Sequence, residues 1–246
     1  ERVTLTLDSA LLHEVDSRVD GMRIKNRSHA VELLLSQILG NNMPKVALIL
    51  SGGKGTRMRP ITHEIPKPLL LVHERSLLEH QFDLFKKHGI KNLVISIGYK
   101  GDKIKHAIGD GKRFGVNVSY VEETKPLGTA GPLRLAKPFI TGTFVTENSD
   151  ELKDIDLHDM YLFHKENKAL VTIALTTVDN PSTYGVAKMQ GGRILEFVEK
   201  PKKDEAPSNL INSGLYMMEP EVLDYIGNGF SMLEKDVFPK LAKLGR

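Results

Sequence analysis

From residue 45 onward, short apolar segments alternate with segments of helical character, and this alternation constrains the fold more than any other feature. Strands are predicted in KVALIL, NLVISIG, VNVSYVE and GTFVTEN, and helices in SLLEHQFDLFKKHG, DKIKHAIG and GTAGPLRLA. In the first helix, Ser76 and Glu79 have capping-box spacing and Gly89 ends the helix. The pattern predicts an α/β domain at 44–246, with a parallel sheet and helices on both faces.

A glycine-rich loop follows the first strand, at the edge where ligands of open α/β sheets bind. Gly52, Gly53 and Gly55 leave backbone amides free to approach a polyanion. Arg57 follows at once, and Lys67 lies between two prolines that stiffen its approach. The loop fits neither the Walker motif nor the dinucleotide fingerprint. We interpret it as a phosphate-binding loop of another kind, with a solvated surface loop as the alternative.

Residues 1–40 show a different pattern, which predicts a small separate module. RVTLTL alternates polar and apolar residues, as a half-buried strand does. Two helices should follow, the first capped at Asp8 or Ser9 and the second capped at Ser28. One strand and two helices cannot bury a core alone, so we expect a homodimer in which two strands pair and four helices interlock. A polar hinge, GNNMP, leads to the second domain.

This module resembles the ribbon-helix-helix family of DNA-binding dimers over residues 2–39. The resemblance implies that Arg2, Thr4 and Thr6 enter the major groove, and that the amide end of the helix at Ser28 holds a phosphate. The module carries five basic and six acidic residues, however. Because phosphate neutralisation supplies most non-specific affinity for DNA, a module that only dimerises is the alternative.

Composition excludes several classes of protein. The chain has 246 residues, of which 40% are hydrophobic, and this suits one large domain plus a small one. The net charge of +3 is too small for a protein that coats nucleic acid, and the absence of cysteine excludes disulfides and thiolate metal sites. No apolar run approaches the ~18 residues of a membrane span, so we expect a soluble cytoplasmic protein without membrane contact.

The loop segment GGKGTRMRPITHEIPKPLL resembles the signature of the sugar-1-phosphate nucleotidylyltransferases. Further segments resemble motifs of that family, in the same order along the chain. PLGTAGPL at 126–133 resembles its nucleotide-contacting turn, and ENSDEL at 147–152 resembles its metal-binding segment. The family's sugar-binding segments have counterparts in YGVAKM at 184–189, FVEKP at 197–201 and INSGLYMM at 211–218. The resemblance covers roughly residues 44–245. It implies the fold of the nucleotide-diphospho-sugar transferases, an α/β fold with a Rossmann-like, mixed and mostly parallel sheet and helices on both faces.

The resemblance also implies a reaction, in which a sugar 1-phosphate attacks the α-phosphate of an NTP and pyrophosphate leaves. Arg57 and Lys67 would hold the triphosphate, Lys200 would bind the sugar phosphate, and Asp150 would hold the cofactor Mg²⁺. The nucleotide-binding residues would be Leu50, Gly52, Gly53, Gly55, Thr56, Gly128 and Thr129, and the sugar-binding residues Gly185, Glu199 and Asn212.

The substrate pair is less constrained. VDNPSTYGV, FVEKP and EKDVFPKLA resemble mannose-1-phosphate guanylyltransferases, which favours mannose 1-phosphate with GTP. Glucose 1-phosphate with dTTP or UTP is the alternative. An alternative of another class is a DNA-binding regulator that senses NDP-sugar, but the presence of Arg57, Lys67, Asp150 and Lys200 favours catalysis.

One feature departs from the family pattern. The family carries a second metal-binding aspartate in a Trp-x-Asp-x-Gly segment near the end of its catalytic domain. This chain contains no tryptophan and stops at Arg246. We therefore expect a catalytic domain that is truncated at its C-terminus.

Overall fold

The computed structural model describes residues 4–22, 24–39 and 43–246, and the chain divides into two units, Glu1–Met43 and Pro44–Arg246. The helices are α1 (Ser9–Ser17), α2 (Arg27–Leu39), α3 (Leu77–Lys87), α4 (Gly101–Ile108), α5 (Gly131–Leu135), α6 (Leu157–Glu166) and α7 (Phe238–Lys243). The strands are β1 (Val46–Ser51), β2 (Leu71–Val72), β3 (Arg75–Ser76), β4 (Asn92–Ile97), β5 (Asn117–Glu122), β6 (Phe144–Asn148), β7 (Val171–Thr177), β8 (Gly185–Gln190), β9 (Arg193–Glu199) and β10 (Leu210–Met218).

The first unit contains the two predicted helices. Asp8 caps α1, since its carboxylate accepts a hydrogen bond from the Ala10 amide at 2.8 Å. The predicted cap at Ser28 is wrong, because α2 begins at Arg27 and a capping residue must precede the first helical residue. Asn26 takes that place, and its side-chain oxygen accepts from the His29 amide at 3.0 Å.

The predicted ribbon strand has no counterpart within the described part of this chain. Residues 4–8 form no strand, and the side chains of Thr4 and Thr6 are exposed. Arg2 lies outside the described residues. A ribbon of this kind pairs with a second copy of itself, so the dimer and its DNA contacts stay predictions.

The second unit is built on one mixed sheet, in the strand order β5-β4-β1-β6-β10-β8-β9, with β7 paired to β10. β1 runs parallel to β4 and β6, and β4 runs parallel to β5. The pairings made by β10, and that between β8 and β9, are antiparallel. The predicted Rossmann-like fold is confirmed, and all four predicted strands and all three predicted helices of residues 45–148 are present.

The parallel half of the sheet positions the loops that matter for function. The residues of β1 from Ala47 to Ile49 are fully buried, as expected for a strand covered on both faces. Because β1, β4, β5 and β6 run in one direction, the loops that follow them meet at the same edge. Helix α3 begins with the predicted capping box, in which the Ser76 amide donates to Glu79 at 2.8 Å. Among the described residues, no helix is both long and apolar enough to cross a membrane.

Candidate active site

The glycine loop after β1 is shaped by close contacts on one side. A Cβ added to Gly52 would lie 2.2 Å from the Glu123 carboxylate, and one added to Gly55 would lie 2.9 Å from the Thr62 methyl group. Gly55 also has φ +59°, a conformation that strongly favours glycine. A Cβ on Gly53 would meet nothing within 4 Å, and the side chain of Thr56 is exposed. The loop is therefore tightly packed against neighbouring side chains at Gly52 and Gly55, whereas Gly53 has free space beside it.

Leu50, the predicted nucleotide-binding residue at the end of β1, joins this loop to the one that follows β6. Its carbonyl oxygen accepts hydrogen bonds from the Ser149 hydroxyl at 2.8 Å and from the Ser149 amide at 3.3 Å. Its side chain packs against the core of the sheet. The two loops are thus held together by the backbone next to the predicted metal ligand, Asp150.

The predicted triphosphate lysine and the predicted metal ligand contact each other directly. Lys67 Nζ lies 2.8 Å from Asp150 Oδ2, and both side chains are partly exposed. Burial raises the pKa of Glu151, the charge of Asp150 adds to that rise, and the charges of Lys67 and Arg57 oppose it. These four groups therefore share one electrostatic environment, and the exposed Arg57 stands on the side of the glycine loop.

Asp150 is the carboxylate of this site that is suited to Mg²⁺. The described residues contain no cluster of three or more His, Asp or Glu side chains arranged to hold a metal ion. Mg²⁺ takes only one or two protein carboxylates, and phosphate oxygens and water complete its octahedron. Asp150 fits such a site if Lys67 leaves the carboxylate, which the approach of a polyphosphate would favour.

The predicted nucleotide turn, 126–133, contacts residues 231–234, which are distant from it in the sequence. Gly128 has φ +78°, and a Cβ there would lie 2.3 Å from the Ser231 carbonyl oxygen. The Thr129 hydroxyl donates to the Glu234 carboxylate at 2.5 Å and accepts from the Leu233 amide at 2.9 Å. The side chain of Thr129 is therefore engaged within the protein, and its backbone is what remains for a nucleotide.

The predicted sugar-binding residues lie together around the hairpin of β8 and β9. Gly185 is paired with Glu199, and a Cβ on Gly185 would lie 3.0 Å from the Glu199 carboxylate. Lys200 Nζ lies 3.4 Å from that carboxylate. Lys200 has φ +49°, which is rare for a residue other than glycine and costs conformational energy. Its amide is fixed by a hydrogen bond of 2.9 Å to the Tyr184 carbonyl oxygen.

Asn212 lies in the irregular part of β10. Its amide nitrogen donates to the Tyr216 hydroxyl at 2.8 Å, and its oxygen accepts from the Gly214 amide at 2.9 Å. Burial raises the pKa of the Tyr216 phenol well above its ordinary value, and the charges of Glu234, Glu151 and Glu199 raise it further. Asn212 is therefore held against the buried Tyr216, whose pKa also responds to the charge of Glu151 in the Asp150 loop and of Glu199 in the sugar segments.

Comparison with known proteins now decides the family. Residues 46–243 match the family model described as nucleotidyl transferase. The chain belongs to this family. The predicted relationship to the sugar-1-phosphate nucleotidylyltransferases is confirmed, since the similar proteins bear such names.

This nucleotidyl transferase is similar to proteins named for different sugars and bases. It is 41% identical to mannose-1-phosphate guanyltransferase beta-B of Xenopus laevis, over 81% of this chain and 57% of that protein. It is 40% identical to UTP–glucose-1-phosphate uridylyltransferase of Synechocystis sp., over 81% of this chain and 55% of that protein. The chain therefore spans a little more than half the length of these curated relatives.

A solved structure supports the fold. UDP-glucose pyrophosphorylase complexed with UDP-glucose superimposes with a TM-score of 0.70 at 24% identity, over 82% of this chain and 88% of that one. At this identity the likeness concerns the fold alone.

Sequence reasoning missed two buried carboxylates of this transferase. The Glu234 carboxylate accepts a hydrogen bond from the Thr129 hydroxyl. The Glu147 carboxylate is fully buried and lies 3.2 Å from Lys153 Nζ. Burial raises the pKa of Glu147 to about 7, against the opposing charge of Lys153. The signal for Glu147 was a charged residue inside the apolar strand β6, and the signal for Glu234 was its place in the segment EKDVFPKLA.

Proposed function

We propose that this chain transfers a nucleotidyl group from an NTP to a sugar 1-phosphate and releases pyrophosphate, with mannose 1-phosphate and GTP as the substrates. The contact between Lys67 and Asp150 supports this proposal most. It brings a cation suited to the triphosphate and a carboxylate suited to Mg²⁺ to the edge where the glycine loop and the Asp150 loop meet.

In the proposed reaction, an oxygen of the sugar 1-phosphate forms a bond to the α-phosphorus. The bond from that phosphorus to the bridging oxygen breaks on the opposite side, and pyrophosphate leaves with the electron pair. Such a transfer depends on positioning and on charge stabilisation rather than on a protein nucleophile. Arg57 and Lys67 stabilise the charge that collects on the leaving pyrophosphate.

Lys200 holds the attacking sugar phosphate. Its strained backbone and the hydrogen bond from its amide to Tyr184 fix the start of the side chain, while the ammonium group stays largely exposed and near Glu199. Glu199 accepts hydrogen bonds from sugar hydroxyls, and Gly185 leaves room for its carboxylate. Asn212 completes this side of the site next to Tyr216.

Mg²⁺, when bound, supplies positive charge to the triphosphate and polarises the α-phosphate. Asp150 would hold it. In this structure Asp150 is paired with the ammonium group of Lys67. If Lys67 contacted the triphosphate instead, the Asp150 carboxylate would be free to hold the metal.

Glucose 1-phosphate with UTP or dTTP is the second candidate substrate pair. The Synechocystis relative, named for UTP and glucose 1-phosphate, is 40% identical, almost as much as the Xenopus relative. The catalytic residues proposed above would be the same, and only the base and the sugar would differ.

For the first unit we propose a homodimer formed through residues 1–40, with DNA as a further possible partner. The buried Val15, Ala30 and Leu33 give α1 and α2 a small common core. Such a small core would gain stability from a second copy. A cytoplasmic location remains a prediction.

Pyrophosphate release tests the proposed reaction. The chain is incubated with Mg²⁺, each of five NTPs, and mannose 1-phosphate or glucose 1-phosphate, and nucleotide binding is measured in parallel. We expect release that requires both substrates, and a loss of at least about 100-fold in Lys67→Ala and in Arg57→Ala, because each removes a charged contact to phosphate. Lys54→Ala, a neighbouring exposed cation, is the control and should keep its activity. Near-normal turnover of either test variant would contradict the assigned roles.

A further inference from the structure

The segment 231–237 lies across the predicted nucleotide turn. The Ser231 amide donates to the Leu127 carbonyl oxygen at 2.9 Å, and the Ala130 amide donates to the Ser231 carbonyl oxygen at 2.9 Å. The segment continues as a single π-helical stretch, Leu233–Val237. Stretches of this kind are rare and occur frequently at functional sites.

Glu234 lies in this π-helical stretch and faces two parts of the site. It is 7% exposed, and the Thr129 hydroxyl donates to its Oε2 at 2.5 Å. Burial raises the pKa of Glu234, the nearby charge of Glu199 adds to that rise, and the charge of Lys200 opposes it. Glu234 thus contacts the nucleotide turn directly and lies in a stretch that packs against β9, the strand that ends at Glu199.

The position of this carboxylate is fixed by packing. The ring of Phe238, one turn further along, lies 5.2 Å from the ring of Phe197 and 5.0 Å from that of Tyr216. These contacts tie the segment to β9, which ends at Glu199, and to β10, which carries Asn212. The segment is therefore packed against the two strands that carry the sugar side of the site.

The carboxylate is short of hydrogen-bond donors. An ionised carboxylate can accept about four hydrogen bonds, and burying it next to a second carboxylate is costly. Among the described residues, the Thr129 hydroxyl and the backbone amide of Glu234 itself donate to this carboxylate, which leaves room for further donors. A ligand rich in hydroxyl groups would supply the missing donors, and a sugar is such a ligand.

We propose that Glu234 is a second sugar-binding carboxylate, which accepts a hydrogen bond from a sugar hydroxyl close to the one bound by Glu199 while Thr129 holds it from the nucleotide side. The inference rests on the proposed function. It makes Glu234 a specificity-determining residue, because a sugar that lacks this hydroxyl would leave a buried carboxylate unpaired.

Equilibrium binding tests the proposal without requiring turnover. The probes are GDP-mannose, its four monodeoxy analogues in the sugar, GDP and dGDP. In the wild-type chain we expect at least one deoxy analogue to bind about 10- to 100-fold more weakly than GDP-mannose. In Glu234→Gln, GDP-mannose should weaken by a similar factor and that same analogue should weaken no further, while the affinity for GDP should change less than about twofold.

Matched variants separate recognition from a structural role. Glu196→Gln removes an exposed carboxylate from β9 and should change nothing. Thr129→Ser keeps the hydroxyl and should keep the discrimination between GDP-mannose and its analogues, whereas Thr129→Val removes the hydroxyl and should lose part of it. If Glu234→Gln does not fold, the comparison of Thr129→Ser with Thr129→Val decides.

Several outcomes would overturn the inference. Equal weakening of GDP and GDP-mannose would mean that Glu234 only supports the turn, and a changed preference for GDP over dGDP would mean that it contacts the ribose. A wild-type chain that binds GDP-mannose and discriminates the analogues, with an unaffected Glu234→Gln variant, refutes this inference alone. A wild-type chain that binds GDP-mannose without discriminating its analogues also refutes this inference alone, whereas a wild-type chain that binds no nucleotide refutes the proposed function as well.

Discussion

Glu147 offers the sharpest test of the energetics of this fold. Its carboxylate is fully buried at the end of β6, and its only ionic partner among the described residues is Lys153, 3.2 Å away. Its Oε2 atom has no hydrogen-bond partner among those residues. Burial raises the pKa of Glu147 from 4.5 to about 7, so desolvation of the carboxylate outweighs the attraction of Lys153.

The size of the effect follows from this pKa. Each pKa unit corresponds to about 1.4 kcal/mol, so the ionised form is disfavoured in the folded state by about 3 kcal/mol. A group whose pKa is raised by folding stabilises the folded state fully below its unfolded pKa, and this stabilisation is lost as the pH rises through the folded pKa. For Glu147 the loss should fall between pH 4.5 and about pH 7.

The perturbation is Glu147→Gln, which keeps the shape of the side chain and removes the ionisation. The free energy of unfolding is measured in urea from pH 5 to pH 8 for both proteins. We expect the wild-type value minus the variant value to fall by about 2 to 3 kcal/mol over that range. The exposed Glu196→Gln serves as the control for the loss of one negative charge.

The difference between the two proteins is needed because other groups titrate in the same range. Burial lowers the pKa of His88, His158 and His164, and their stabilisation is lost as the pH falls, which is the opposite direction. They are common to both proteins and cancel in the difference. A difference that is constant within about 0.5 kcal/mol, or that grows with pH, would refute the reasoning and mean that the ion pair with Lys153 dominates.

Three further predictions concern the metal ligand, the glycine loop and the first unit. Asp150→Asn should leave the melting temperature within a few degrees of wild type but abolish the effect of Mg²⁺ on nucleotide affinity, as measured by calorimetry. If Mg²⁺ still changes the nucleotide affinity of this variant as in wild type, Asp150 is not a metal ligand. Gly52→Ala should displace the Glu123 carboxylate, which accepts hydrogen bonds from the Ser96 hydroxyl and the Leu127 amide. We therefore expect this variant to lose about 2 to 4 kcal/mol of stability in urea unfolding, whereas the control Gly53→Ala should change stability by less than about 1 kcal/mol. Equal effects of the two substitutions would contradict the packing described. Deletion of residues 1–43 should convert a dimer to a monomer in light scattering, and an oligomer that survives the deletion would place the interface elsewhere.

Features that depend on neighbours in the sequence were predictable from the sequence. The capping box of α3 needs only Ser76 and Glu79 three residues apart, and both hydrogen bonds are present. The glycine loop follows β1 because an apolar run ends where flexible residues begin. The same local reasoning placed the cap of α2 at Ser28 and was wrong, because α2 begins at Arg27 and Asn26 takes the capping position.

The candidate site was predicted as a set of residues but not as an arrangement. Lys67 and Asp150 were each assigned to a ligand, and nothing in their segments, 83 residues apart, says that they touch. Gly185, Glu199 and Lys200 were predicted as separate binding residues, and the structure shows that one hairpin brings them together. The engagement of the Thr129 side chain by a residue 105 positions away was not predictable from the segment that contains it.

Only the tertiary structure decided which charged groups are buried and what they face. Glu147 stands out in the sequence only as a charged residue within an apolar strand, but β6 pairs with β1 on one side and β10 on the other, and on this central strand its carboxylate is fully buried. Glu234 reaches Thr129 because the segment after β10 returns across the nucleotide turn. The physical reason is that the hydrogen bonds of helix caps and turns are made with atoms a few residues away. The desolvation and pairing of a charge depend instead on every element packed around it. That packing is set by the order of the strands.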